Sequence, residues 1–179
     1  VSDNNCSGTV SGSATINVIS LPTAVINGGG SACVGETVDV TVQLTGTAPW
    51  NFVITDGTNT FPVTGENSAT HIFSATAAGM YTLVNLSDAN CTGTVSGASI
   101  VSFNSLPTVA LSSQGTTCVN YAPIALTGGT PAGGTYSGPA VTAGSFNPAG
   151  AGVGTFSITY TFTDGNGCTN SASQNIVVD

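Results

Sequence analysis

The stretch Val38–Leu44, VDVTVQL, together with its continuation Trp50–Ile54, WNFVI, decides the fold. Val38, Val40, Val42 and Leu44 alternate with Asp39, Thr41 and Gln43, a period of two that buries one face of a strand and wets the other. Trp50, Phe52 and Ile54 continue in phase and stop at Asp56-Gly57, a hairpin-type turn. His71–Ser74, Met80–Leu86 and Thr94–Phe103 read as further strands. The pattern returns downstream, where Phe156, Ile158, Tyr160 and Phe162 alternate with Ser157, Thr159, Thr161 and Thr163. Asp164-Gly165-Asn166-Gly167 turns the chain, and Ser171–Val178 runs back. Pro and Gly clusters at Gly128–Gly134 and Pro148–Gly154 break any helical run, and no segment has a helical period. Short strands between regular turns, in units of roughly 75–85 residues, predict an all-β chain of tandem Ig-like antiparallel β-sandwiches.

Outward from these strands, Val1–Ala24 recurs almost intact as Leu86–Val109, with Ser-Asp, Asn-Cys, Gly-Thr-Val-Ser-Gly and Ser-Leu-Pro-Thr identical. Self-similarity of this kind marks a tandem array. The second copy closes a unit, so residues 1–20 are expected to be the closing strands of a preceding Ig-like repeat. The alternative is a donor strand that completes a neighbouring subunit. Both copies end on Leu-Pro-Thr, at Leu21–Thr23 and Leu106–Thr108, which predicts domains at residues 21–105 and 106–179. Pro22 and Pro107 fix φ and remove a donor, which stiffens each joint.

Composition narrows the function. The 179 residues include no Lys or Arg and eight acidic side chains, a net charge of −8. Phosphate contacts need cations to displace counterions, so no nucleic acid is expected as a partner, and anionic membrane surfaces are equally disfavoured. The chain is 40% hydrophobic and only 4% charged, the reverse of a disordered segment. No membrane-inserting stretch appears.

The cysteines are Cys6, Cys33, Cys91, Cys118 and Cys168, none in CxxC spacing. With His71 the only histidine, no zinc site is expected. Widely spaced cysteines in a strand-rich chain suggest structural disulfides in an oxidising compartment. Cys33 precedes the Val38 strand and Cys91 follows the Met80–Leu86 strand, while Cys118 and Cys168 hold matching places downstream. These positions favour Cys33–Cys91 and Cys118–Cys168, each contributing roughly 2–4 kcal/mol. Bridging between adjacent domains is the rival, because strand parity can place two cysteines at opposite ends of a sandwich. Cys6 aligns with Cys91, so its partner is expected upstream or on a neighbouring chain.

The stretches SACVGETVDVTVQLTGTAPWNFVITDGT, YTLVNLSDANCTGTVSG and GGTYSGPAVTAGSFNPAGAGVGTFSITYTFTDGNGCTNSA, with the Leu-Pro-Thr joints, carry a family resemblance. The chain resembles the Ig-like and PKD-like tandem repeats of large secreted surface proteins, adhesins or gliding-type filaments, of Bacteroidetes-type bacteria. The resemblance implies export to the cell surface, a β-sandwich fold and a role as stalk or fibre, with no catalytic residue.

Individual residues support no enzyme. Asp164–Gly167 is a better hairpin turn than calcium loop, since Cys168 takes the next alternating position and no Glu follows. Asp3, Asp88 and Asp164 stay as weak Ca2+ candidates at domain joints. Trp50 is expected to fill the core against a disulfide. His71 reads as an ordinary strand residue, no Ser sits in GxSxG, and the glycine runs lack the strand–helix setting of a nucleotide site. Asn5, Asn85 and Asn90 occupy N-x-S/T sequons. The function that follows is a non-enzymatic structural segment of an extracellular filament or adhesin stalk, without cofactor, whose partners are neighbouring repeats or copies of itself. A module that binds a host or surface glycan or Ca2+, and a spacer appended to a secreted enzyme, remain the alternatives.

Overall fold

In a computed structural model the structure describes residues 4–179. From 23 onward it is built of strands. The first nine are β1 Thr23–Gly28, β2 Gly30–Cys33, β3 Val38–Thr45, β4 Trp50–Thr55, β5 Thr60–Glu66, β6 Thr70–Ala75, β7 Gly79–Ser87, β8 Thr94–Ser96 and β9 Ser99–Asn104. They form two facing sheets, ordered β6-β3-β1-β8 and β2-β9-β7-β4-β5. β3 lies inside its sheet, antiparallel to both β1 and β6. Its Val38, Val40, Val42 and Leu44 are buried as the alternation requires, and Trp50, Phe52 and Ile54 of β4 meet them from the opposite sheet. Burying these side chains is the main force holding the sheets together, at about 1.5–3 kcal/mol for each large apolar group.

The closing strand departs from expectation. Thr94–Phe103 is not one strand but two, β8 pairing with β1 and β9 with β7, so the chain changes sheets between them. Gly97 makes the crossing. Its φ is +88°, and a Cβ there would stand 2.2 Å from the Ile26 carbonyl oxygen.

The next nine strands are β10 Ala110–Leu111, β11 Thr116–Thr117, β12 Ile124–Ala125, β13 Gly129–Thr130, β14 Thr135–Ser137, β15 Val141–Thr142, β16 Ser145–Phe146, β17 Gly154–Thr163 and β18 Thr169–Val178. They share no sheet with the first nine and build their own core around Phe146, Ile158, Tyr160, Ile176 and Val178. β17 and β18 pair antiparallel over ten residues, from Gly154↔Val178 to Thr163↔Thr169. The Pro148–Gly154 break contains one helical turn, Pro148–Ala151, capped where Asn147 Oδ1 accepts the Gly150 N–H. Residues 4–20 are exposed and form no strand, with a single isolated bridge at Ser7. No helix among the described residues is long and apolar enough to cross a membrane.

Candidate functional site: a disulfide across the joint

The chain's disulfide lies where the two sets of strands meet. Cys33 ends β2, which runs parallel to β9 with Cys33 level with Asn104. The Val34 N–H donates to the Asn104 carbonyl at 2.9 Å, and the Glu36 N–H donates to the Cys33 carbonyl at 3.0 Å. The Glu36 carboxylate accepts the Cys33 N–H at 2.8 Å. Cys33 is thereby held beside the last residues before Leu106-Pro107-Thr108.

Cys168 arrives from the other side on the β17–β18 hairpin. The Asp164 N–H donates to the Cys168 carbonyl at 2.9 Å, and Asp164 Oδ1 accepts the N–H groups of Asn166 and Cys168 at 2.9 Å each. The Asn170 amide donates to the Pro107 carbonyl at 2.9 Å, tying the base of the hairpin to the joint proline. Cys33 and Cys168 are bonded, with Cα atoms 5.6 Å apart and a sequence separation of 135. Cys168 is fully buried.

This corrects the expected pairs Cys33–Cys91 and Cys118–Cys168, and the reason is strand parity. Cys33 lies beyond the Gly79 end of β7, because Gly79 pairs with Val101 while Cys33 pairs with Asn104. Cys91 follows the Ser87 end of β7. A strand rises about 3.3 Å per residue, so the nine residues of β7 separate these cysteines by roughly 30 Å, against about 7 Å for a bridgeable Cα pair. The same holds downstream. Thr117 pairs with Val178, which puts Cys118 at the far end of ten-residue β18, while Cys168 precedes its start. Cys91 is half-buried and Cys118 exposed, neither of them in a disulfide. Cys6 is exposed too.

The other candidates have structural settings. Trp50 fills the first core, but no disulfide lies there for it to pack on. Its indole N–H instead donates to the Thr45 carbonyl at 3.0 Å. His71 sits on β6 with Nδ1 2.7 Å from Glu66 Oε2 and its ring edge-on to Phe52. Backbone N–H donation from Ser68, then the His71 ring, holds the Glu66 carboxyl below its ordinary range. Asp88 Oδ2 accepts the Thr47 N–H at 2.9 Å, and Oδ1 accepts those of Asn90 and Cys91 at 2.8 and 2.7 Å. These amides, Thr47 first, lower its pKa. As Ca2+ candidates, Asp88 and Asp164 are engaged in holding their own hairpins, and Asp3 lies outside the described residues. Among the described residues no three His, Cys, Asp or Glu side chains gather into a metal-binding group. Asn85 and Asn90 are exposed. Glu36 and Asn170, which frame the joint, carried no sequence motif. The repeated Asp-x-Asn-Cys and Asp-x-Asn-x-Cys pattern was the one available sign that Cys91 and Cys168 are of one kind.

These features define an all-β chain of Ig-like sandwiches, coupled covalently across a joint. Residues 29–99 match the Ig-like domain of the nucleoporin POM152. No curated protein sequence matches the chain. Among solved structures it is similar to the I-band fragment I67-I69 of titin, at 13% identity and a TM-score of 0.40 over 90% of this chain. It is also similar to Sidekick-1 immunoglobulin domains 1-5, at 11% identity and a TM-score of 0.30, again over 90% of this chain. The chain spans 66% of the titin fragment and 38% of the Sidekick-1 structure.

Proposed function

We propose that this chain is a load-bearing segment of an extracellular stalk or fibre, with domains at 21–105 and 106–179, residues 1–20 closing a preceding unit, and neighbouring repeats as its partners. The role is mechanical, not catalytic. The observation that supports this reading is the covalent bond across the joint. A disulfide between successive units adds nothing to an isolated fold that an internal bond would not, but it changes how the chain carries tension. Pulled from both ends, the force enters near residue 33, crosses the sulfur bridge and leaves near residue 168. The chain between them is shielded.

Force–extension measurement on the single molecule tests this. The oxidised chain should yield only the length outside the Cys33–Cys168 loop. Reductant should add the hidden loop, whose sequence separation of 135 corresponds to about 450–490 Å at roughly 3.3–3.6 Å per residue step. Full extension of the oxidised chain would refute the reading.

A further inference from the structure

The joint disulfide joins two kinds of cysteine, and from residue 23 onward each kind occurs once more. The first kind stands at the downstream pole of its unit. In Cys33-Val34, the Val34 N–H donates to the Asn104 carbonyl, and the Cys33 carbonyl accepts from the residue three ahead. In Cys118-Val119, the Val119 N–H donates to the Asp179 carbonyl at 2.8 Å, and the Cys118 carbonyl accepts from Tyr121, also three ahead, at 3.1 Å. Cys33 ends, and Cys118 directly follows, a short strand parallel to the last strand of its unit. Cys118 is thus the structural counterpart of Cys33.

The second kind stands at the upstream pole, on a hairpin. Cys168 is closed in by Asp164, whose N–H donates to the cysteine carbonyl and whose Oδ1 accepts the cysteine N–H. Cys91 is closed in by Asp88 through the same two bonds, at 2.9 and 2.7 Å. The Cys168 hairpin leans on the joint proline through Asn170 and Pro107. The Cys91 hairpin leans on the preceding one, where the Thr94 N–H donates to the Pro22 carbonyl at 3.1 Å. Both hairpins therefore face back along the chain, toward the unit before.

We propose that Cys118 and Cys91 are the two halves of the same covalent joint: the downstream cysteine of one unit bonds the upstream hairpin cysteine of the next. In this chain's own terms, Cys118 of one copy takes the Cys91 hairpin of a second copy, as Cys33 takes Cys168 within it. An open recess beside Cys118, lined by Thr116, Thr117, Tyr121 and Ile124, provides a seat for that hairpin. Tyr121 is 60% exposed there. Successive loops would then overlap, since Cys118 lies inside the Cys33–Cys168 loop, and tension would pass along the array without a gap. Bond formation needs a disulfide oxidant such as oxidised glutathione. One thiolate attacks it and releases a glutathione thiol. The second protein thiolate then attacks the mixed disulfide and releases the other, so two protein thiols lose two electrons and two protons to the glutathione pair.

The inference deepens the stalk reading, yet its test is separate, since connectivity and load-bearing are read by different experiments. The 179-residue chain in a Cys6→Ala background is oxidised at high concentration in glutathione buffer and run on non-reducing gels. A protease that does not need Lys or Arg then permits peptide mapping. A ladder of end-to-end oligomers is expected, with Cys91–Cys118 as the intermolecular pair. Either Cys91→Ala or Cys118→Ala should abolish the ladder, and mixing the two variants should restore a single dimer band. Retention of the Cys33–Cys168 peptide in every variant reports that the fold is intact. A ladder built on Cys91–Cys91 or Cys118–Cys118, or no ladder with Cys33–Cys168 intact, would overturn the proposal.

Discussion

Removing one half of the joint disulfide should weaken both sets of strands at once. Consider Cys33→Ala, a change in the first set only. In the intact molecule, Asn104 stands level with Cys33. If the second set unfolds while the first stays folded, the bond closes a loop from about residue 104 to Cys168, some 64 residues, and the chain-entropy relation assigns this about 4 kcal/mol. If the first set unfolds instead, Asn170 anchors Cys168 near Pro107. The loop from Cys33 to that point is of similar length and again restricts the unfolded chain by about 4 kcal/mol. Hydrogen exchange read on peptic peptides resolves the two, with β3 reporting the first core and β17 the second. Cys33→Ala should therefore lower protection in β17, more than a hundred residues away in sequence, about as much as in β3. A bond confined to the first set would leave β17 untouched. Unchanged exchange in β17 would show that the bond does not couple the two sets of strands.

Other perturbations act locally. Phe52 is 1% exposed at the centre of the first core, so Phe52→Ala should cost about 3–5 kcal/mol, read by chemical denaturation with Trp50 fluorescence, the only indole in the chain. Tyr160 is 2% exposed, and its hydroxyl accepts the Gly134 N–H and donates to the Pro131 carbonyl. Tyr160→Phe leaves that N–H without a partner and should cost about 1–3 kcal/mol, with faster exchange around Gly134. The Asp88 pKa is lowered in the fold, so its stabilisation of the Cys91 hairpin is complete above its ordinary value and fades as pH falls through the folded value. Exchange at Asn90 and Cys91 should rise in acid, and Asp88→Asn should remove that dependence.

The strand pattern was legible because it is local. Val38–Leu44 and Phe156–Phe162 announce which face is buried with no knowledge of what covers it, and the structure buries Val40, Val42, Ile158 and Tyr160 accordingly. Strand β5 was missed. It is an edge strand whose pattern is only half-buried, with Pro62 in its middle, where an edge position tolerates the missing donor. The break at Gly97 was hidden for another reason. Nothing in Thr94–Phe103 shows that the Ile26 carbonyl approaches one of its residues too closely for a side chain. The disulfide partners were the hardest to read. Each pairing depends on which pole of a sandwich a strand end faces, and that follows from the parallel β2–β9 and β11–β18 registers, which no stretch of sequence displays alone.

The covalent joint itself is most directly tested by mapping disulfide-linked peptides of the oxidised, non-reduced chain by mass spectrometry. One intramolecular linkage is expected, between the peptide carrying Cys33 and the peptide carrying Cys168. A Cys33–Cys91 or Cys118–Cys168 peptide would contradict it.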